Sequence, residues 1–169
     1  EELTEEDTVS SLGIKFEVIE VPGHTLDHIA FYSKQNNILF CGDTLFAGGC
    51  GRIFEGTYDQ MFESLNKLKQ LPENTQIYCG HEYTKSNLLF SIKVEPENND
   101  LMVRETEIDN LIIKNGSSLP SLIEFEKKIN PFLRCDVLSD NIQLMQKFGL
   151  DNPSEKEIFK YIRAWKDSA

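Results

Sequence analysis

Histidine is scarce in this chain: 169 residues hold three, at positions 24, 28 and 81. That scarcity excludes a His-rich metal tract and any compact motif of paired histidines. The four cysteines, Cys41, Cys50, Cys79 and Cys135, form no Cys-x-x-Cys pair, so neither a zinc-ribbon spacing nor a thioredoxin-like redox motif is present. Set in an acidic, lysine-containing composition, they read as reduced thiols, and the expected location is the cytoplasm. Basic residues are few: 17 lysines and arginines stand against 28 aspartates and glutamates, a formal charge of −11. This balance argues against nucleic acid or an anionic membrane surface as the main partner. An anionic substrate would have to be captured by local cationic groups. No apolar run has the length of a membrane span or the pattern of a signal-peptide core, so neither is expected. The sequence opens on Glu1 instead of methionine, the expected mark of a processed, cleaved or truncated product.

What is present falls into two parts. At 40% hydrophobic the chain can bury a core. Up to residue 83 it reads as strands with tight turns. Ile14, Phe16 and Val18 alternate with polar residues, and Ile29–Tyr32 and Ile38–Cys41 are two further short strands about the polar turn 34–37. A helix is predicted after Thr57 as N-cap with Gln60 at the capping-box position, its apolar face Met61, Leu65 and Leu68, stopped by Pro72. Gln76–Cys79 is a strand running into Gly80-His81. From residue 84 the pattern is helical. The expected helices are one capped by Thr84 with Leu88, Leu89 and Ile92, one ending near Gly116, one around Leu122, Phe125 and Ile129, one over 139–148, and a last one opened by Pro153 at its first helical position. Residues 1–83 and 84–169 are therefore expected to form two unequal units.

Three residues carry metal chemistry: His24 in VPGHTLDH, Asp43 in LFCGDTLF and His81 in IYCGHEYT. Each follows a strand and sits beside a glycine, so all three can converge on one sheet edge. Taken singly, a turn histidine or an Asp after a strand is more often structural. Jointly, imidazole and carboxylate are what zinc, iron or manganese require, and a carboxylate can bridge two ions with an activated water between them. His28 lies four residues after His24, but its flanks Pro22-Gly23 and Ile29-Ala30-Phe31 indicate a turn into a strand, so a structural role is expected. Cys41 and Cys79 are expected on the opposite side of their strands from Asp43 and His81, in the core.

PGHT, CGDTLFAGGCGR, the following EGT, YCGHEYT, NPFLR (Asn130 to Arg134) and Arg163-Ala164-Trp165-Lys166 together resemble glyoxalase II, the hydroxyacylglutathione hydrolases of the metallo-β-lactamase superfamily. The resemblance covers nearly the whole chain and is weakest between about residues 97 and 120. It implies an α/β fold, the αββα sandwich of that superfamily of which this chain holds the C-terminal half only, followed by an α-helical domain binding glutathione. The implied reaction is hydrolysis of S-D-lactoylglutathione, a small-molecule thioester, at two divalent metal ions. Zinc, iron and manganese are the candidates, and the expected nucleophile is a metal-bridging water. His24 would ligate one ion and His81 the other, with Asp43 between them. Arg52, Phe54, Tyr83, Arg163 and Lys166 would contact the substrate, the last two capturing a carboxylate from one face of the C-terminal helix.

Two departures stand out. Phe54 occupies a position where the family usually has tyrosine. The family's THxHxDH motif, which completes the ligand sets, would lie upstream of Glu1, so partial or no metal occupancy and impaired activity are expected of this chain alone. The alternatives are a persulfide dioxygenase-like mono-iron enzyme, which shares PGHT and GCGR-like segments, and a non-catalytic glutathione-binding remnant. CGHEYT and the Arg163/Lys166 helix favour the hydrolase.

Overall fold

The computed structural model describes residues 2–169. Four strands, β1 (Thr8–Ser11), β2 (Ile14–Glu20), β3 (Ile29–Ser33) and β4 (Ile38–Gly42), form an antiparallel meander. A short hairpin follows, β5 (Leu45–Phe46) with β6 (Gly49–Cys50). Helix α1 (Tyr58–Lys69) then returns the chain so that β7 (Gln76–Cys79) runs parallel to β4. A two-residue strand, β8 (Ser121–Leu122), completes the sheet in the order β1-β2-β3-β4-β7-β8. The remaining chain is helical: α2 (Thr84–Val94), α3 (Asn99–Asn115), α4 (Ile123–Ile129), a 3-10 turn (Pro131–Leu133), α5 (Cys135–Leu138), α6 (Ile142–Phe148) and α7 (Glu155–Ser168). No helix is long and apolar enough to cross a membrane among the described residues.

Local chemistry sets the helix ends. Thr57 Oγ1 accepts from Gln60 N–H at 3.2 Å while Thr57 N–H donates to Gln60 Oε1 at 2.9 Å, the reciprocal capping box that the sequence predicts. Met61, Leu65 and Leu68 are buried from that helix. Several boundaries differ from expectation. Thr84 is the first helical residue of α2, not its cap, because Glu82 takes its hydroxyl at 2.6 Å; Leu89 faces outward. Leu122 belongs to β8, where β7 supplies backbone partners that outweigh helix propensity. The span 139–148 begins at Ile142, since Asn141 Oδ1 accepts from Leu144 N–H at 3.0 Å and caps it there. Pro153 precedes α7, whose cap is Ser154 in a second capping box with Glu157. Strand β1, the β5–β6 hairpin and β8 have no counterpart in the sequence pattern.

The two sheet faces have different fates. Ala30, Tyr32, Leu39, Cys41 and Ile77 enter one core with Met61, Leu65 and Leu68 of α1 and with Phe132, Phe159 and Ile162 from the later elements. Burial of this set removes apolar surface from both the early strands and the late helices at once. On the other face, register aligns Phe31, Phe40 and Tyr78, with Phe16 beside them. Phe40 lies 5.8 Å from the Phe16 ring and 5.3 Å from the Tyr78 ring, and is 44% exposed.

Candidate active site

Topology brings the three metal-type residues together. β2 and β4 each run antiparallel to β3, and β7 runs parallel to β4. The C-terminal ends of β2, β4 and β7 therefore share one edge, the usual place for ligands in sheets of this kind. His24 follows β2, Asp43 follows β4 and His81 follows β7. Pairing extends past the strands through Gly80 N–H to Gly42 C=O at 2.8 Å, which sets Asp43 beside the 80–81 turn. Glycine is required there. A Cβ on Gly80 would stand 2.5 Å from Asp43 Oδ1, and one on Gly51 only 1.9 Å from the Asp43 carbonyl oxygen.

His24 Nε2 lies 3.4 Å and His81 Nε2 3.5 Å from the same oxygen, Asp43 Oδ2. His24 Nδ1 lies 2.8 Å from the Arg52 carbonyl oxygen. A carbonyl only accepts, so His24 carries a proton on Nδ1, and in the neutral ring the Nε2 lone pair faces the carboxylate. Two acceptors so placed ask for a cation. Two ligands at tetrahedral angle, each about 2.0–2.1 Å from one ion, stand roughly 3.4 Å apart. Asp43 Oδ1 is also buried without a hydrogen-bond partner. These observations fit a metal. Among the described residues no three His, Cys, Asp or Glu side chains gather as a ready cluster for a single ion; the two imidazoles meet only across the carboxylate.

His28 serves Asp43 from below. Its Nε2 accepts from Asp43 N–H at 3.0 Å, which requires an unprotonated Nε2. Burial, then the neighbouring His24, lowers its pKa, in keeping with a neutral ring. Its expected structural role thus takes a definite form. Cys41 is buried and donates to Leu45 C=O at 3.1 Å, as expected of a core thiol. Cys79 packs at the edge of the same core, half-buried, with its thiol donating to the His81 carbonyl at 3.3 Å.

A cavity of about 510 Å³ opens over this edge. All eight residues singled out in the sequence line it: His24, Asp43, Arg52, Phe54, His81, Tyr83, Arg163 and Lys166. Phe54 packs on His24 at 5.0 Å and is 69% exposed at the rim. Tyr83 stacks on His81 at 5.0 Å. The arginine of α7 is not the solvated group its sequence context permits. Arg163 is 2% exposed, donating to Cys50 C=O at 3.0 Å and to Asp167 at 2.9 Å, with the Phe132 ring 5.2 Å away. Its Nε is buried without a partner. Lys166 is half-buried beside aromatic rings, and that partial burial lowers its pKa to about 8.

The cavity floor is the β5–β6 hairpin, held by polar groups that the sequence pattern does not reveal. Asn130 donates to Phe46 C=O at 3.2 Å and Gly49 C=O at 2.9 Å. Glu126, fully buried, accepts from Gly48 N–H at 2.8 Å, Asn130 Nδ2 at 2.9 Å and Ser121 Oγ at 2.6 Å. Asn87 and Ser91 of α2 donate to Ala47 and Gly48 carbonyls. NPFLR thereby gains a physical meaning: Asn130 grips the hairpin, Phe132 lies under Arg163 and Lys166, and Arg134 forms a two-point ion pair with Glu95. An i,i+4 carboxylate such as Glu124, which pairs with Lys128 on the surface, gives the same sequence signal as Glu126.

Comparison with known proteins adds the lineage. The family model for the hydroxyacylglutathione hydrolase C-terminus matches residues 82–169, and that of the metallo-beta-lactamase superfamily matches residues 1–81. A hydroxyacylglutathione hydrolase of Pseudomonas paraeruginosa is 50% identical over 166 residues, covering 98% of this chain and 64% of that protein. One from Psychromonas ingrahamii is 44% identical over 168 residues, with 98% and 65% covered. The chain thus spans just under two thirds of the length of these relatives. Among solved structures, ETHE1 from Myxococcus xanthus superposes with a TM-score of 0.55 at 25% identity, covering 96% of this chain and 59% of that one. TTHA1623 in a di-iron-bound form gives a TM-score of 0.50 at 26% identity, covering 78% and 47%. The fold is that of the metallo-beta-lactamases.

Proposed function

Because the chain belongs to the hydroxyacylglutathione hydrolase family, we propose that it carries the metal-bridging and glutathione-binding share of an enzyme hydrolysing S-D-lactoylglutathione to D-lactate and glutathione, a step of methylglyoxal detoxification. The observation that carries this reading is one cavity lined by His24, Asp43 and His81 together with Arg163 and Lys166.

His24 would hold one divalent ion, His81 a second, and Asp43 both. When bound, such ions polarise a thioester carbonyl and lower the pKa of coordinated water; zinc, iron and manganese all suit these ligands. The Arg52 carbonyl fixes the His24 tautomer, and His28 fixes the Asp43 backbone. Phe54 and Tyr83 wall the reacting end and brace the two imidazoles. The half-buried Lys166 amine and the buried, unpartnered Arg163 Nε would donate to the glycine carboxylate of glutathione, and Arg52 stands at the rim, 64% exposed. An arriving anion favours the charged form of Lys166 and offsets the cost of its burial. Residues 1–83 supply the metal ligands in this reading, and residues 84–169 supply Arg163 and Lys166 for the glutathione carboxylate. One imidazole and a shared carboxylate fall short of the four ligands a zinc ion takes. The 169 residues alone are therefore expected to hold metal weakly and turn over slowly.

The test is turnover of S-D-lactoylglutathione with metal analysis, on the 169-residue chain and on a form extended upstream. The extended form should bind two ions and cleave the thioester. An extended form that held two ions and left the thioester intact would sink the proposal. Oxygen uptake with glutathione persulfide would point instead to the mono-iron chemistry. A finer check uses the rim. Phe54→Tyr should lower KM for the thioester about fivefold, the ~1 kcal/mol of one added hydrogen bond; an unchanged KM would show that position 54 makes no such contact.

A further inference from the structure

Two polar side chains in the cavity, Ser86 and Asn87, lie outside every motif named from the sequence, and only Asn87 is buried. Asn87, one turn into α2, is 4% exposed and lines the cavity. Its Nδ2 donates to Ala47 C=O at 3.0 Å, and its Oδ1 accepts a hydrogen bond from Lys166 Nζ. Helix α2, the hairpin and α7 thus meet at a single carboxamide. Gly49 permits the meeting: a Cβ there would stand 2.7 Å from Asn87 Cγ and 2.8 Å from Lys166 Nζ. The hairpin backbone lies directly against the pair.

Lys166 has few other holds. Its amine is 5.5 Å from the Phe90 ring centroid and 5.6 Å from that of Phe132. The charged or titratable groups acting on it are Cys50 from the hairpin, Arg52 after it, and Arg163 and Asp167 from its own helix. Asp167 is engaged by Arg163 at 2.9 Å, and the two arginines repel an ammonium. A carboxamide oxygen can anchor that ammonium without cancelling its charge, because it accepts while remaining neutral. A carboxylate in its place would neutralise the charge and compete with any anion entering the cavity.

Resting on the glutathione reading of this cavity, we propose that Asn87 is a positioning residue that aims the Lys166 ammonium into the cavity and keeps its charge available for a carboxylate-bearing ligand. It acts through Lys166, with Gly49 as the space that lets the two meet. Selectivity for the anionic end of the ligand then depends on position 87 being neutral.

Asn87→Asp tests this, because it alters charge with little change of shape. In calorimetric titrations with S-methylglutathione, the substitution should weaken binding by about tenfold or more, while binding of the glycyl ethyl ester should change by no more than about twofold. Equal weakening of both ligands, or no change in either, would overturn the proposal. A second readout needs no ligand. The Lys166 side-chain NMR titration, assigned by its loss in Lys166→Met, should move up by about one unit or more in Asn87→Asp, since a carboxylate favours the charged amine. An unmoved titration would overturn the positioning role even if folding or ligand binding were impaired. Failure of the unsubstituted chain to bind S-methylglutathione, with the titration moved as expected, would count against the glutathione reading and leave the Asn87–Lys166 pairing supported.

Discussion

Asp43→Asn is expected to empty both metal positions at once and to lower thioester hydrolysis by about three orders of magnitude, the loss of several kcal/mol of metal-assisted stabilisation. The reason is geometric. His24 and His81 approach the same carboxylate oxygen at 3.4 and 3.5 Å, so one residue serves both halves of the proposed centre. The amide keeps the shape but removes the negative charge and turns an N–H donor into the space between the two imidazoles, where a cation would sit. His24→Ala and His81→Ala should each release one ion and weaken the other. Metal-to-protein ratios after dialysis, measured beside turnover on a form with the complete ligand set, decide the matter. A full complement of two ions in Asp43→Asn would show that the carboxylate does not bridge.

The second large effect is on stability. Glu126→Ala removes the one acceptor shared by Gly48 N–H, Asn130 Nδ2 and Ser121 Oγ. Leaving buried donors unsatisfied costs about 1–3 kcal/mol each, so a total loss of about 3 kcal/mol or more is expected, read as a lowered urea midpoint. Glu126→Gln should be far milder. Burial raises the Glu126 pKa above its ordinary 4.5, more than the hydrogen bonds from Ser121, Gly48 and Asn130 lower it. A folded-state pKa above the unfolded one means that the contribution is whole below pH 4.5 and is lost as pH rises through the folded value. Glutamine should remove that downward slope. If Glu126→Gln proved as damaging as Glu126→Ala, the fold would require an ionised carboxylate there, and a slope that survived the substitution would belong to other groups.

Strand ends and the cap of α1 could be read from the sequence because their causes are local. Alternation up to Cys41 and Cys79, followed by glycine, placed Asp43 and His81. Thr57 with Gln60 placed α1. The groups that make those residues useful were not legible, since each takes its meaning from a distant partner. His28 is a turn histidine until the Asp43 backbone reaches it, and Asn87 is a polar helix residue until α7 delivers Lys166 to it. The burial of Arg163 was hidden for the same reason. Spacing alone sets it on a face with Lys166, whereas the depth of that face depends on Phe132 and the hairpin, 31 and about 113 residues earlier.

The hydrophobic core shared by the early strands and the late helices has a practical consequence. The two matched segments meet between residues 81 and 82, but Leu39 and Ile77 are buried in one cluster with Phe132 and Phe159, and β7 takes an edge partner from β8. A gene cut at that junction would separate recognisable modules and yet give two sticky fragments, each exposing its share of one interior. Recombination between relatives should therefore fail when residues 1–81 and 82–169 come from different parents.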